Sequence, residues 1–297
     1  MYVYLYGQIL GTHSFYLKDG FLQPDEYSEL DAKYFLPGGE TGTAATVLAS
    51  LGVDVKIDGT HIGTEVSPML KQFYDGKSVD LSSLYFDPDY KGLMDYVVVA
   101  DLVRSPMGEF QTLYASGVKH WNAPKEEDIK NCCVAAIDPF FLEETQKTAE
   151  LCVKYNKKYV TIDCDHTNYL HKNAAINVVS KECLGEHYAG MDREDVFELL
   201  IENTDGLVII TGGEKDMLYG RKGEEIHRMS PFKVEVKSTL GAGDTFKAAC
   251  VYGLMKGMSD DELVRFASAT SAVAISRFPL PLNPPTLDEV FRIEAIR

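Results

Sequence analysis

The sequence predicts an α/β protein built on a mainly parallel sheet with helices on both faces. Three observations carry this. Short apolar runs recur at Val3–Tyr6, Val53–Ile57, Val97–Ala100, Val134–Ile137, Tyr159–Ile162, Ala175–Val179 and Leu207–Ile210, as strands buried on both sides require. Helical patterns lie between them: Phe141–Tyr155 carries Leu142, Thr145, Ala149, Cys152 and Val153 as a stripe. No fixed-period repeat or low-complexity linker interrupts the 297 residues, so residues 1–297 are read as one domain with a sizeable core.

The opening MYVYLYGQIL reads as the first strand and carries no basic leader. Two segments, 15–36 and 84–103, hold Tyr, Phe and Val in loose alternation with Asp, Lys and Gly. They are expected to form a small, exposed antiparallel sheet inserted into the main domain. Pro37-Gly38-Gly39-Glu40-Thr41-Gly42-Thr43-Ala44-Ala45, running on to Leu51-Gly52, reads as a glycine turn opening a helix of small residues.

Charge narrows the partners. With 29 basic and 45 acidic residues the chain carries −16, which disfavours nucleic acid and anionic membrane surfaces. No tract is apolar and long enough to span a bilayer, and a cytoplasmic location is expected. Six scattered cysteines, with Cys132 and Cys133 adjacent and no C-x-x-C, read as reduced thiols.

The strongest local signal is Ser238-Thr-Leu-Gly-Ala-Gly-Asp-Thr-Phe246, followed by Ala248, Ala249, Val251, Tyr252 and Leu254 at helical spacing. Gly241, Ala242 and Gly243 allow a sharp turn into a helix expected to start at about Asp244. Unpaired N–H groups at such a helix end accept phosphate oxygens. A carboxylate at Asp244 beside bound phosphate is unfavourable unless it takes a proton, and the work it fits is that of a general base toward an attacking hydroxyl. The plainer alternative is that Asp244 is a helix N-cap.

The two glycine elements in this order resemble the ribokinase/PfkB family of carbohydrate kinases. The similarity continues in Gly63-Thr-Glu65, Leu70 and Val79-Asp-Leu-Ser, in Ile162-Asp163-Cys-Asp165, and in Ile210-Thr211-Gly-Gly213-Glu-Lys215. It implies a three-layer α/β/α sandwich, ribokinase-like, with a β lid closing over a sugar-like acceptor. It further implies ATP as phosphoryl donor and Mg²⁺ bridging its phosphates, held mostly through water. Gly38, Gly39 and Thr43 would face the acceptor, with Thr12, Glu40 and Arg104 beside them. Thr211 and Gly213 would line the ATP site, with adenine near Ser268 and Ser271. Gly241, Ala242 and Gly243 would hold the phosphates, Asp244 would be the base, and the lid allows a homodimer.

Four positions depart from the family pattern. Thr12 stands where an acid grips sugar hydroxyls, and Thr43 stands where Asn is usual. The N-x-x-E tied to magnesium falls on Ser180-Lys-Glu-Cys183, leaving Glu182 or Glu186 as stand-ins. Ser238 replaces the Asp of the monovalent-cation site, so no potassium requirement is expected. If Glu40 turns into the pocket, a neutral or amine-bearing polyhydroxy acceptor is favoured over a sugar acid.

Other features weigh less. Asp163, Asp165 and His166 read as a strand end lining the site rather than metal ligands. Gly76-Lys77-Ser78 fails as a P-loop because position 71 is Lys, and Trp121 reads as packing. The competing readings are a non-catalytic nucleotide or sugar sensor on the same fold, a nucleoside kinase of the family, and a dinucleotide oxidoreductase. Gly7-Gln-Ile-Leu-Gly-Thr, lacking the G-x-G-x-x-G turn, speaks against the last.

Overall fold

Residues 1–18, 20–21, 23–100 and 103–295 are described by the structure, a computed structural model. In chain order the strands are β1 (Val3–Gly7), β2 (Leu10–Leu17), β3 (Leu30–Gly38), β4 (Val55–Gly59), β5 (Val79–Asp80), β6 (Met94–Ala100), β7 (Val103–Gly108), β8 (Val134–Ile137), β9 (Tyr159–Ile162), β10 (Ile176–Val179), β11 (Leu207–Ile210), β12 (Met217–Gly220) and β13 (His227–Met229). The helices are α1 (Gly39–Ser50), α2 (Ser67–Tyr74), α3 (Phe110–Ala115), α4 (Glu126–Asn131), α5 (Leu142–Lys154), α6 (Tyr169–Asn173), α7 (Lys181–His187), α8 (Arg193–Glu202), α9 (Ala242–Lys256), α10 (Asp260–Ile275) and α11 (Leu287–Glu294).

The main sheet has the order β13-β12-β11-β10-β9-β8-β1-β4-β5. Its strands from β11 to β5 pair in parallel, and β12 and β13 close the edge as antiparallel strands. Alternation along β1 shows why the middle layer is apolar throughout. Val3 and Leu5 pack with α1, α9 and α10 on one face, while Tyr4 and Tyr6 pack with α5 on the other. Burying each such side chain contributes roughly 1.5–3 kcal/mol, and a strand with two buried faces collects this at every residue. The expected three-layer α/β/α sandwich is the observed architecture.

The second sheet has the order β3-β2-β6-β7. Its outer pairs are antiparallel, but β2 and β6 at its centre run parallel, so it is mixed rather than purely antiparallel. Its strands overrun the expected limits of 15–36 and 84–103 at Leu10, Gly38 and Gly108, while β6 begins only at Met94, inside the second. Residues 19, 22, 101 and 102, within those expected stretches, lie outside the described ones. The run Val97–Ala100 belongs to this sheet and not to the main one. Its burial falls fully only on Val97, Val99 and Ala100, the mark of a strand with one packed face. No helix among the described residues is long and apolar enough to cross a membrane.

Candidate active site

The two glycine turns meet beyond the C-terminal ends of the central parallel strands, where ligands gather in such sheets. Gly38 caps α1, and Gly39 adopts φ +76°. A Cβ on Gly38 would fall 1.7 Å from Thr12 Oγ1, and one on Gly39 would fall 2.5 Å from the Gln8 carbonyl oxygen. Glycine at both positions lets α1 start hard against β2 and the β1–β2 turn. On the other side Gly241 takes φ +76° and caps α9, with Thr43 of α1 packed against it.

Helix α9 begins at Ala242, two residues before the expected start, so Asp244 lies inside the first turn and is not the N-cap. The Gly241 turn and a bond from Ala242 N–H to the Thr239 carbonyl (3.2 Å) set this start. The intrahelical ladder opens with Thr245 N–H donating to Gly241 O at 2.9 Å. The N–H groups of Gly243 and Asp244 therefore point out ahead of the ladder, as a helix N-terminus presents them. A Cβ on Gly243 would meet only Ile162 Cδ1, at 3.9 Å. The space above that glycine is open for a ligand.

Around Asp244 lies a set of charges that sequence reading did not find. Lys247, one turn along α9, is 1% exposed and paired with Asp138, also 1% exposed, at the end of β8. Thr41 Oγ1 donates to the other Asp138 oxygen at 2.6 Å, so α1, β8 and α9 are joined through one carboxylate. A side chain on Gly7 would collide with that carboxylate, 2.0 Å from Oδ2. Glu40 turns inward, as one reading of the sequence expected: its Oε2 is buried and without a hydrogen-bond partner. Burial, then the nearby Asp244 and Asp138, push the Glu40 carboxyl up to about 8, against the pull of Lys247. Burial also raises Asp244, with Lys247 and Arg104 opposing and Asp138 and Asp163 reinforcing the shift. Burial alone would lower Lys247, but Asp138, Asp244 and Glu40 hold it above its usual value.

The small sheet contributes from above. Thr12 of β2, Asp95 of β6 and Arg104 of β7 lie on one face of it: Thr12 pairs with Asp95, and Arg104 with Val99, two strand turns from Asp95. An acid absent at position 12 is thus present opposite it, on the neighbouring strand. Asp95 is hydrogen-bonded with Thr12, keeps a buried unpartnered Oδ1, and is pushed up to about 6 by burial. Gln8 Nε2 donates to Tyr114 Oη at 2.6 Å, bringing α3 to the same side.

The residues expected to hold nucleotide lie across α9. Thr211 follows β11, its hydroxyl donating to Val179 O at 3.3 Å, and Gly213 takes φ +62°. Ser271 of α10 donates to the Ala242 carbonyl at 3.3 Å, while Ser268 is buried in the helix packing. Asp163, at φ +52°, accepts from Ser180 N–H (2.6 Å) and Oγ (2.9 Å). Glu182 is exposed and close enough to raise the Asp163 carboxyl further. Ser238 is buried and its Oγ accepts from Leu240 N–H at 3.2 Å.

The fold and site together are a three-layer sandwich with a glycine turn opening onto free space and an acid in the first turn of the helix that follows. Residues 171–283 match the model of the pfkB family carbohydrate kinases. A 5-dehydro-2-deoxygluconokinase from Clostridium beijerinckii is 23% identical over 280 residues, 85% of this chain and 82% of that one. Among solved structures, Arabidopsis thaliana ribokinase complexed with ribose and ATP superposes with a TM-score of 0.81. It is 17% identical, over 99% of this chain and 98% of that one. An Escherichia coli protein described as a ribokinase II, solved with ATP and Mg²⁺, gives 0.79 at 18% identity, over 100% and 99%. The chain is thus similar to the pfkB carbohydrate kinases over residues 171–283 and has the ribokinase-like fold of these structures.

Proposed function

We propose that this carbohydrate kinase transfers the γ-phosphoryl group of ATP to a hydroxyl of a small polyhydroxy acceptor, with Asp244 taking the hydroxyl proton. The observation that carries this is Asp244 in the first turn of α9, beside the open space over Gly243. Gly241 fixes the turn, and the Gly243 and Asp244 N–H groups are aimed where charge develops on the transferring group. A carboxyl raised by burial is a stronger base when ionised. Lys247, held by Asp138, keeps a fixed positive charge one turn away, which favours that ionised form.

Thr211, Gly213 and the α10 face carrying Ser271 are assigned to the nucleotide. Mg²⁺ supplies charge neutralisation between the phosphates when bound; Asp163 and Glu182 are the acids on that side suited to its water shell. Thr12, Asp95, Thr43, Glu40 and Arg104 are assigned to the acceptor. The 5-dehydro-2-deoxygluconokinase relatives are, by name, kinases of a sugar acid. Here Asp138, Asp244 and Asp95 outnumber Lys247 and Arg104, with Glu40 joining them once it ionises, and this supports a neutral or amine-bearing acceptor instead. Phe35, His13, Tyr96 and Met107, in register across the outer face of the small sheet, support pairing with a second copy.

Asp244→Asn tests the assignment. The substitution should lower kcat by roughly 10²–10⁴-fold while ATP still binds, because proton transfer is lost and the N–H groups remain. Near-normal turnover in the variant would reduce Asp244 to a structural residue of the helix's first turn.

A further inference from the structure

We propose that His61, Asp87 and His120 form a binding site for one divalent ion of the zinc type, pinning three chain segments at the base of the small sheet. One donor atom from each residue lies within 4.8 Å of the other two. The backbone places them there. Past β4 the chain stays extended, bridging Thr60 to Trp121 and Ile62 to Phe86. His61 N–H donates to His120 O, and Asp87 N–H to Ile62 O, both at 2.9 Å.

The hydrogen-bond network sets the proton positions on His61. Asn122 Nδ2 donates to Asp58 Oδ1 and to the Ser83 carbonyl, both at 3.1 Å, and both are pure acceptors. The amide orientation is therefore fixed, and Asn122 Oδ1 is the group 3.1 Å from His61 Nε2. Nε2 must carry the proton, which leaves a lone pair on Nδ1. That Nδ1 is buried, has no hydrogen-bond partner, and faces Asp87 Oδ2 at 3.9 Å. His120 Nδ1 is likewise buried without a partner. The His61 Nδ1 lone pair and the Asp87 carboxylate thus converge beside the His120 ring with no hydrogen bond between them, an arrangement that a cation resolves. Asn122 plays the part of the carbonyl that orients a ligating imidazole through its other nitrogen.

The rings are held. Tyr90 stacks on His120 with centroids 3.9 Å apart, and Tyr85 meets His61 edge-on at 4.9 Å. Two imidazoles and one carboxylate suit Zn²⁺, Co²⁺ or Ni²⁺, whereas Mg²⁺ and Ca²⁺ select oxygen. With bonds of about 2.0–2.1 Å the donors would close to roughly 3.3 Å apart, with water in a fourth position. The segment carrying Asp87 and Tyr90 leads directly into β6, and Gly11 N–H of β2 bonds to Leu93 O at 3.1 Å. An ion here ties β4 to the two central strands of the small sheet, apart from Asp163 and Glu182.

The experiment is titration of chelator-stripped, tag-free protein with Co²⁺ and then Zn²⁺. We expect one Co²⁺ per chain, with the visible d–d bands of a four- or five-coordinate ion. One equivalent of Zn²⁺ should displace it, and excess Mg²⁺ should not. Asp87→Asn should weaken Zn²⁺ binding by about tenfold or more and abolish the Tm increase that Zn²⁺ gives the wild type. Imidazole ¹⁵N spectra of the wild type supply a readout independent of any variant. Zn²⁺ should move the ring nitrogens of His61 and His120 and leave the other five of the seven histidines in place. Absence of saturable 1:1 binding, displacement by Mg²⁺, or shifts confined to other histidines would overturn the site.

Discussion

At the residue scale, acceptor choice is expected to vary with pH through Glu40. Its carboxyl is pushed up to about 8 from an ordinary 4.5 by burial and by Asp244 and Asp138. Below that pH it is protonated and able to donate a hydrogen bond to an acceptor; above it, a further carboxylate joins Asp138, Asp244 and Asp95. Discrimination against a sugar acid, read as the kcat/KM ratio of a neutral sugar to its acid analogue, should therefore rise as pH passes through about 8. Glu40→Gln should flatten the rise, and an unchanged ratio would show that Glu40 does not select the acceptor. The same shift predicts a stability effect with a definite sign. The folded state keeps a proton that the unfolded chain releases near 4.5, so this contribution is full below 4.5 and lost as pH rises through about 8. Wild-type Tm should fall more steeply over this window than that of Glu40→Gln. The acid itself was legible in the sequence; its proton was not, because the carboxylates that raise it come from positions 98 and 204 residues away.

At the scale of elements, the Lys247–Asp138 pair links α9 to the end of β8, and Thr41 adds α1. Neither residue was singled out from the sequence, though a signal was present. Lys247 interrupts the run Phe246 to Val251, otherwise apolar, so it needs a buried partner. The identity of the partner could not be read, since only the parallel order β8-β1 brings position 138 beside the two glycine turns. Asp95 is similar: an acid in the apolar run Leu93 to Ala100, visible as an anomaly, interpretable only once β6 lies beside β2. Asp138→Asn leaves a buried ammonium without its counter-charge and should destabilise by about 3–5 kcal/mol in urea unfolding. Adding Lys247→Met should recover part of that loss, because the uncompensated charge is removed. Additive losses in the double variant would mean that the two side chains do not act as a pair.

For the whole molecule, the two faces of the small sheet differ in character. Thr12, Asp95 and Arg104 share the inner face. Phe35, His13, Tyr96 and Met107 form one registered row across the outer face. His13 stacks on Phe35 at 4.2 Å and on Tyr96 at 5.1 Å, while Met107 and Val103 are each 55% exposed. Such a row, spanning every strand of the sheet, suits a symmetric contact between two copies. Sedimentation should give a concentration-dependent dimer, and Tyr96→Lys with Met107→Lys should give a folded monomer. A wild type that stays monomeric at high concentration would remove the outer face from the assembly.

The sequence by itself determined the layered α/β architecture, the two glycine turns and the acid that follows the second. These are local properties: apolar runs with two buried faces, and backbone conformations that only glycine adopts without strain. Tertiary structure decided the rest. It sent Val97–Ala100 to the small sheet, because a Val-rich run reads alike in either sheet until its neighbours are known. It started α9 two residues before Asp244 and so excluded the cap alternative, because one left-handed glycine and one bond to Thr239 O set the start. It also assembled Glu40, Asp138, Lys247 and Asp244, and brought Asp95 beside Thr12. Charges from different elements become a site only when parallel strands order them, since burial and Coulomb coupling depend on separation in space and not along the chain.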